Sequence, residues 1–398
     1  MTPAARIQAA IECLDAIFDG SPAEKTMTRW ARQSRYAGSK DRAAVRDHVF
    51  AALRSRDSLS AIGGAQTGRS VMIAQVLLGG SNPDEVFNGV GHAPAALDDH
   101  ERARIAEVNE RGASNVIRDI WDMPDDWREK LVASHGTSAL AIAQTLRDRA
   151  PVDLRVNLRK TSLSGAIDRL ASEGITAKPC LISSSALRIV DGARALKNSS
   201  SYLDGFVELQ DAGSQALIEA LPLKDGMQIL DYCAGGGGKA LALAARADID
   251  LFVHDVDPHR MRDLPERAKR AGVTLAEIQT SDLAQSGVFD LILCDAPCSG
   301  SGAWRRAPQG KWLLSRDALG TLGETQARIL DAAAQLVSEG GSLGYATCSL
   351  LGCENDSQTA GFLDRHADWT LDFQNSWHVT DGTDGFFAAH LTRAISEG

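Results

Sequence analysis

At 398 residues, 44% apolar and 24% charged, the chain exceeds one typical domain and can bury two or three cores. A formal net charge of −10 argues, taken alone, against a polyanionic partner. No apolar run approaches the roughly 20 residues of a membrane span, and "MTPAARIQAAIECLDAIFDG" carries acids inside its apolar pattern, so it reads as an amphipathic helix and not a secretory signal.

Residues 1–130 predict helix throughout. Apolar positions recur at three and four in "IQAAIECLDAIF" and "VRDHVFAAL", and "MPDDW" (123–127) makes a break. "AIGGAQTGRS" and "LLGGSNPDE" read as turns between helices. From Arg29 to Arg56 eight Lys/Arg face two Asp. Two readings stand side by side: a solvated helix face, and a phosphate-contacting patch in which Trp30 and Tyr36 interleave with the arginines.

At 151 the pattern turns to strand alternation, with Val152, Leu154, Val156 and Leu158 set against polar residues. Helical "SLSGAIDRLASEG" and strand-like "ALRIV" follow, so 131–220 reads as a small α/β subdomain. From 226 "MQILDYC", "LFVHDV", "TLAEIQ", "FDLILCD" and "SLGYATC" read as strands with helices between them. Such alternation predicts a mostly parallel, doubly wound sheet with helices on both faces. "WTLDFQ" and "DGFFAAHLTR" predict a closing antiparallel hairpin.

"LDYCAGGGGKALALA" reads as strand, glycine turn and helix start, and Gly235, Gly237 and Ala240 fit the dinucleotide pattern G-x-G-x-x-A. A phosphate-binding P-loop fits poorly. Ala240 after Gly238-Lys239 leaves no hydroxyl for magnesium, and Cys233 stands where the first glycine belongs. The flanking acids choose between a nicotinamide cofactor and S-adenosylmethionine. Asp231, ending the first strand, would repel a pyrophosphate and suits the cationic amino group of an S-adenosyl ligand. Asp255, ending the second strand, suits ribose hydroxyls in either case, and Asp282 follows the third. The acids favour the methyl donor; a glycine turn that serves only helix–strand packing is the plainer alternative.

Seven scattered cysteines predict reduced thiols in a cytosol. No Cys-x-x-Cys pair exists and no histidine is suitably spaced, so no metal site is expected. Cys294 reads as buried within its strand. Cys298 follows the fourth strand in "LCDAPCSGSG", and Cys348 ends the fifth in "GYATCSLLGCEND". If those strands are neighbours, both thiols open into the crevice at the carboxyl ends. Carbon 5 of a pyrimidine is barely nucleophilic, and a thiolate adding to C6 makes it enamine-like. The thiolate is the nucleophile, so a free pKa near ~8.5 has to be lowered. Asp295 is suited to the N3 edge of such a base.

In order along the chain, "LRVNLRK" (154–160), "VELQDAGSQAL" (207–217), "DYCAGGGGK" (231–239), "HDVDPHR" (254–260), "DAPCSGSG" (295–302), "RRAPQGKW" (305–312), "TCSLLGCEND" (347–356) and "DGFF" (384–387) resemble the Sun/Fmu family of RNA cytosine-5 methyltransferases. The resemblance implies an all-α N-terminal domain (1–130), a small α/β subdomain (131–220) and a C-terminal Rossmann-like class I methyltransferase domain (221–398). It implies S-adenosylmethionine as cofactor, held around Asp231, Cys233, Ala234, Gly235, Gly236, Gly237, Gly238, Lys239, Asp255, Arg260, Asp282 and Asp295. It also makes Cys348 the nucleophile and Cys298 the group that helps release the product, with Asp295 catalytic beside them. Residue chemistry alone favours Cys298, because DNA cytosine-5 methyltransferases use the Pro-Cys position.

The glycine loop departs from the family's Cys-Ala-Ala-Pro-Gly-Gly-Lys-Thr, which predicts a more flexible loop and weaker cofactor binding. Glu354-Asn355-Asp356 replaces the usual Glu-Asn-Glu. The helical region resembles, more weakly, the RNA-binding fold of the antitermination factor NusB. This implies RNA contacts from Arg29, Arg32, Arg35, Lys40, Arg42 and Arg46, with Arg155 and Lys311 extending the surface. The rival reading is that Arg155 and Asn157 only tie the subdomain to the catalytic core. The resulting expectation is a monomeric, cytoplasmic enzyme acting on RNA, foremost ribosomal RNA, with no membrane partner. A tRNA methyltransferase, a degenerate RNA-binding assembly factor and a nicotinamide oxidoreductase are the competitors; Asp231 and the paired cysteines disfavour the last.

Overall fold

The computed structural model describes residues 1–395, so the last three residues of the expected 221–398 domain lie outside the described residues. The chain divides into two compact units, Met1–Arg149 with Trp304–Leu313, and Ala150–Ala303 with the chain from Leu314 onward. The first compact unit runs to Arg149, past the expected start of the small subdomain at 131. The helices Asp125–His135 and Ala139–Thr145 belong to the first unit, with Trp127, Leu131 and Ile142 buried. Among the described residues no helix is long and apolar enough to cross a membrane.

In the first unit α1 (Pro3–Phe18), α2 (Ala23–Gln33), α3 (Ser39–Arg54), α4 (Arg56–Gly63) and α5 (Gly68–Leu78) share a core that contains Leu14, Val45, Leu53, Ile62 and Met72. The Thr2 hydroxyl caps α1 by accepting from the Ala5 N–H, and Pro3 sits where a missing N–H costs nothing. A Cβ on Gly68 would lie 2.4 Å from the Ile11 carbonyl oxygen, so glycine is what lets α5 begin this close to α1.

The segment Trp304–Leu313 finishes the ends of these helices. Gln309 Oε1 accepts from the Ala23 N–H at 2.7 Å, a cap that Pro22 cannot supply to α2. At the other end of α3, Lys311 Nζ donates to the Arg54 carbonyl at 2.7 Å and the Trp312 indole N–H to the Leu53 carbonyl at 2.9 Å. These are terminal carbonyls with no partner inside their own helix. Lys311 is only 1% exposed, which corrects its assignment to an RNA-contacting surface: its ammonium is spent on a helix end. Burial lowers its pKa to about 7.

In the second unit β1 (Asp153–Val156), β2 (Thr176–Pro179), β3 (Ala186–Asp191) and β4 (Val207–Leu209) form an antiparallel sheet in the order β2-β3-β1-β4. The polar positions of β1, expected to face solvent, are buried as deeply as the apolar ones. Asp153 pairs with Arg188 at 2.7 Å. Arg155, 6% exposed, donates to the Gly238 carbonyl at 2.7 Å and to the Gln210 side chain. Asn157 donates to the Ala271 carbonyl at 2.8 Å. Arg155 is therefore a tie to the glycine loop and not an RNA contact, because its guanidinium is buried with Nη1 committed to the Gly238 carbonyl and the Gln210 side chain.

The large sheet contains β5 (Gln228–Asp231), β6 (Asp250–Val253), β7 (Ala276–Glu277), β8 (Phe289–Asp295), β9 (Val337–Thr347), β10 (Trp369–Trp377) and β11 (Phe386–Arg393), in the order β10-β11-β9-β8-β5-β6-β7. From β9 to β7 the pairs are parallel, and β10 and β11 form the expected antiparallel hairpin. Leu230, Ile292, Cys294, Leu343 and Tyr345 belong to its core. After β7 the chain returns to the other side of β5, so β5 and β8 flank the switch point where ligands of such sheets bind.

Candidate active site

The glycine loop leaves β5 at Asp231. Gly235 and Gly237 both hold positive φ, at +50° and +76°, and a Cβ on Gly237 would lie 2.1 Å from Leu264 Cδ1. The Gly235 N–H donates to Asp255 Oδ2 at 3.0 Å, and Arg260 pairs with that carboxylate at 3.1 Å. The Ala234 N–H donates to the His254 carbonyl at 2.9 Å. Arg267 and Arg155 grip the Gly236 and Gly238 carbonyls. Cys233 is half-buried, and burial together with nearby acids pushes its thiol pKa up. Asp282 lies on the exposed turn Thr280–Gln285, where it accepts from the Ser281 hydroxyl.

Asp231 is buried, and its Oδ1 has no hydrogen-bond partner. Burial and the neighbouring Asp295 push its pKa up to about 7. Lys239 reaches across from the helix start to Asp295 at the end of β8, Nζ to Oδ2 at 2.7 Å.

The two cysteines meet. Because β8 and β9 are adjacent and parallel, Cys298 and Cys348 leave the same edge of the sheet with their sulfurs 3.5 Å apart. Their acidities diverge. Accepting a hydrogen bond from the Cys298 thiol lowers the pKa of Cys348 against the cost of burial, and Lys239 assists. Donating that bond, and burial, push Cys298 well above the ordinary thiol value. Cys294 is fully buried within β8, as its position suggested.

Around the thiols lies a polar cluster to which motif reading gave no role. Glu354, fully buried, accepts from the Ser299 and Ser349 hydroxyls, the Ser299 N–H and Gln326 Nε2. Asn355 accepts from the Thr347 hydroxyl at 2.6 Å and donates to the Ser349 carbonyl at 3.0 Å. The signal that could have found it is the repeated Cys-Ser dipeptide.

The basic stretch divides in two. Arg29, Arg32, Arg35, Lys40, Arg42 and Arg46 are exposed on and between α2 and α3, with Arg46 paired to Glu24 at 2.8 Å. Tyr36 is 74% exposed, whereas Trp30 belongs to the helical core and shows only an edge, in a groove it lines with Arg42 and Arg46.

Residues 218–392 match the family described as 16S rRNA methyltransferase RsmB/F, and 123–195 match the ferredoxin-like domain of RsmF/B-like methyltransferases. The ribosomal RNA small subunit methyltransferase B of Serratia proteamaculans is 35% identical over 303 residues, covering 72% of this chain and 70% of its own. The chain belongs to the RsmB/F family of methyltransferases. The enzyme of the same name from Xanthomonas campestris pv. campestris is 30% identical over 385 residues, covering 90% and 88%. A methyltransferase homologue from Pyrococcus horikoshii shares the fold at TM-score 0.60 and 24% identity, covering 75% of this chain and 100% of its own.

The RsmB/F family uses S-adenosylmethionine, and the residues present fit it. The unpartnered oxygen of Asp231 suits a cationic amino group, Gly235 leaves the space before Asp255 and Arg260 free of a side chain of its own, and Asp255 offers acceptors for ribose hydroxyls. When bound, the cofactor supplies an electrophilic methyl group.

Proposed function

We propose that this RsmB/F-family enzyme methylates C5 of a cytosine in small-subunit ribosomal RNA through a covalent bond from Cys348 to C6. The observation that carries this reading is the 3.5 Å contact between the Cys298 and Cys348 sulfurs at the ends of neighbouring parallel strands, with the Lys239 charge favouring the Cys348 thiolate. It also favours Cys348 over Cys298 as the attacking group.

The Cys348 thiolate adds to C6, and the electrons displaced onto C5 attack the methyl group. Asp295, with Oδ2 on Lys239, keeps Oδ1 for the N3–N4 edge of the base, and the Lys239 charge offsets the negative charge that builds there. Once the Cys348 sulfur is bonded to carbon it no longer holds the Cys298 proton. Cys298 then ionises more readily, releasing its proton to solvent; its thiolate takes the C5 proton, and the Cys348 thiolate leaves as the C5–C6 double bond re-forms. The exposed Arg29, Arg32, Arg35, Lys40, Arg42 and Arg46 would grip RNA phosphates while the target base is unstacked. We assign the enzyme to the cytoplasm as a monomer, which light scattering checks.

The test is trapping on ribosomal RNA that contains 5-fluorocytosine, with S-adenosylmethionine present, for wild type, Cys348→Ala and Cys298→Ala. Fluorine cannot leave C5 as a proton does, so the adduct survives denaturation. Loss of the adduct in Cys348→Ala and its retention in Cys298→Ala is the expected result. The reverse pattern would swap the roles, and an adduct formed only with transfer RNA would move the substrate.

A further inference from the structure

We propose that Glu354 is the positioning residue of the cysteine pair: one carboxylate clasps the loop that follows Cys298 and the loop that follows Cys348, and so holds the two sulfurs in contact. The proposal rests on the two-cysteine reading above. Its test reads the thiols without RNA, so the brace and the RNA reaction can fail separately.

Each cysteine is followed by a serine, and both serines end on the same side chain. On the Cys298 side, the Ser299 N–H reaches Glu354 Oε1 at 2.8 Å and the Ser299 hydroxyl reaches Oε2 at 2.6 Å. On the Cys348 side, the Ser349 hydroxyl reaches Oε2 at 2.5 Å. Gln326 fills the remaining place on Oε1 at 3.1 Å and fastens Pro297 by its carbonyl at 2.9 Å. A carboxylate has about four acceptor sites, and all four are taken by donors that are buried or half-buried. Glu354 is itself held, because the Tyr345 hydroxyl donates to its backbone carbonyl at 2.6 Å.

A buried carboxylate that serves four donors is costly unless every bond is made, so the loops are locked to one another and not merely near one another. A hydrogen bond between sulfurs at 3.5 Å is short-ranged. Any separation of the loops removes it, and with it the main influence that favours the Cys348 thiolate.

Two effects of Glu354 have opposite signs, and this makes the proposal testable. As a brace it keeps the Cys298 thiol on Cys348 and favours the thiolate. As a nearby negative charge it disfavours ionisation of both thiols. The other charged groups that act on Cys348 are Asp295, which disfavours the thiolate, and Lys239, which favours it. Neither is changed by substitution at 354.

The experiment is the pH dependence of Cys348 alkylation by iodoacetamide, followed peptide by peptide in the full-length protein, for wild type and Glu354→Gln. Circular dichroism melting checks that each variant is folded. Glutamine keeps the shape but turns a donor toward donors. The brace predicts a profile moved to higher pH by about one unit, hence about tenfold slower alkylation near pH 7. A move to lower pH would show that only the charge mattered, and an unchanged profile that Glu354 is structural filler; either result overturns the proposal. If Glu354→Gln does not fold, Ser299→Ala and Ser349→Ala each remove one arm. Each should then move the profile upward by a smaller amount, and no movement in either overturns the proposal.

Discussion

The glycine loop at 235–239 and the cysteine loops at 298–301 and 348–354 stand at the carboxyl ends of one sheet, yet they are held by different kinds of contact. The glycine loop is gripped by its backbone: Arg155 and Arg267 on its carbonyls, Asp255 on an N–H, all from distant stretches of chain. The cysteine loops are held largely side chain to side chain, by Ser299, Ser349, Glu354, Asn355 and Gln326. The first arrangement is indifferent to which side chains the loop carries, provided glycine remains at positive φ. The family's proline and threonine can therefore be absent here with both carbonyls still anchored. The second depends on the identity of each residue, and "CSGS" with "CSLLGCEN" has little freedom to vary.

Breaking the cysteine side should have the largest effect. Cys348→Ala is expected to lower methyl transfer to RNA by on the order of 10⁴-fold or more while S-adenosylmethionine still binds, since none of the groups assigned to the cofactor is changed. Transfer of labelled methyl and calorimetric titration of the cofactor read the two quantities.

On the glycine side, Asp231→Asn should weaken cofactor binding by about 10- to 100-fold, the worth of one charge-assisted bond. The same change should alter the stability of the cofactor-free protein in the opposite direction. The folded-state pKa of Asp231 is about 7 against an ordinary 3.8, so between these values the folded form keeps a proton that the unfolded chain has lost. Stability is fully present below the lower value and falls as pH rises through the window, by on the order of 1.4 kcal/mol per unit. Denaturation of wild type and variant at pH values across the window should show a slope in the first that is reduced in the second.

A smaller effect is expected where the loop is gripped from outside. Arg155→Met leaves the Gly238 carbonyl without its guanidinium and should cost about 2 kcal/mol of stability, read by urea denaturation, with a few-fold loss of cofactor affinity. The smallest effects test the basic residues. Arg42→Ala should reduce the slope of log affinity for RNA against log salt by about one. Lys311→Met should leave that slope unchanged, because its ammonium faces the Arg54 carbonyl.

The legible parts were those whose meaning is local. Strand alternation, the glycine turn and the closing hairpin lie in short windows, and two thiols after consecutive strands become neighbours as soon as the strands do. What could not be read depends on partners far away in the chain. Arg155 looks like any exposed strand arginine until Gly238 covers it, and Lys311 looks like part of a basic motif until the end of α3 is found at its tip. The polar face of β1 shares this cause. Glu354 stood in a motif without a role for another reason: its four bonds come from Ser299, Ser349 and Gln326, three residues far apart in the chain that no spacing rule joins.

The path of the chain through its two units bears on how such a protein can be dissected or inherited. Trp304–Leu313 is encoded in the middle of the catalytic half but finishes helices of the first unit, so no single cut separates the two. A fragment begun at 150 would carry Trp304, Lys311 and Trp312 with nothing to bury them, and a fragment ended at 149 would lack the cap on α2 and the partners of the last carbonyls of α3. A recombination event that exchanged the helical unit alone would break the same contacts. The helices and this ten-residue stretch, more than a hundred positions apart in the gene, are bound to change together.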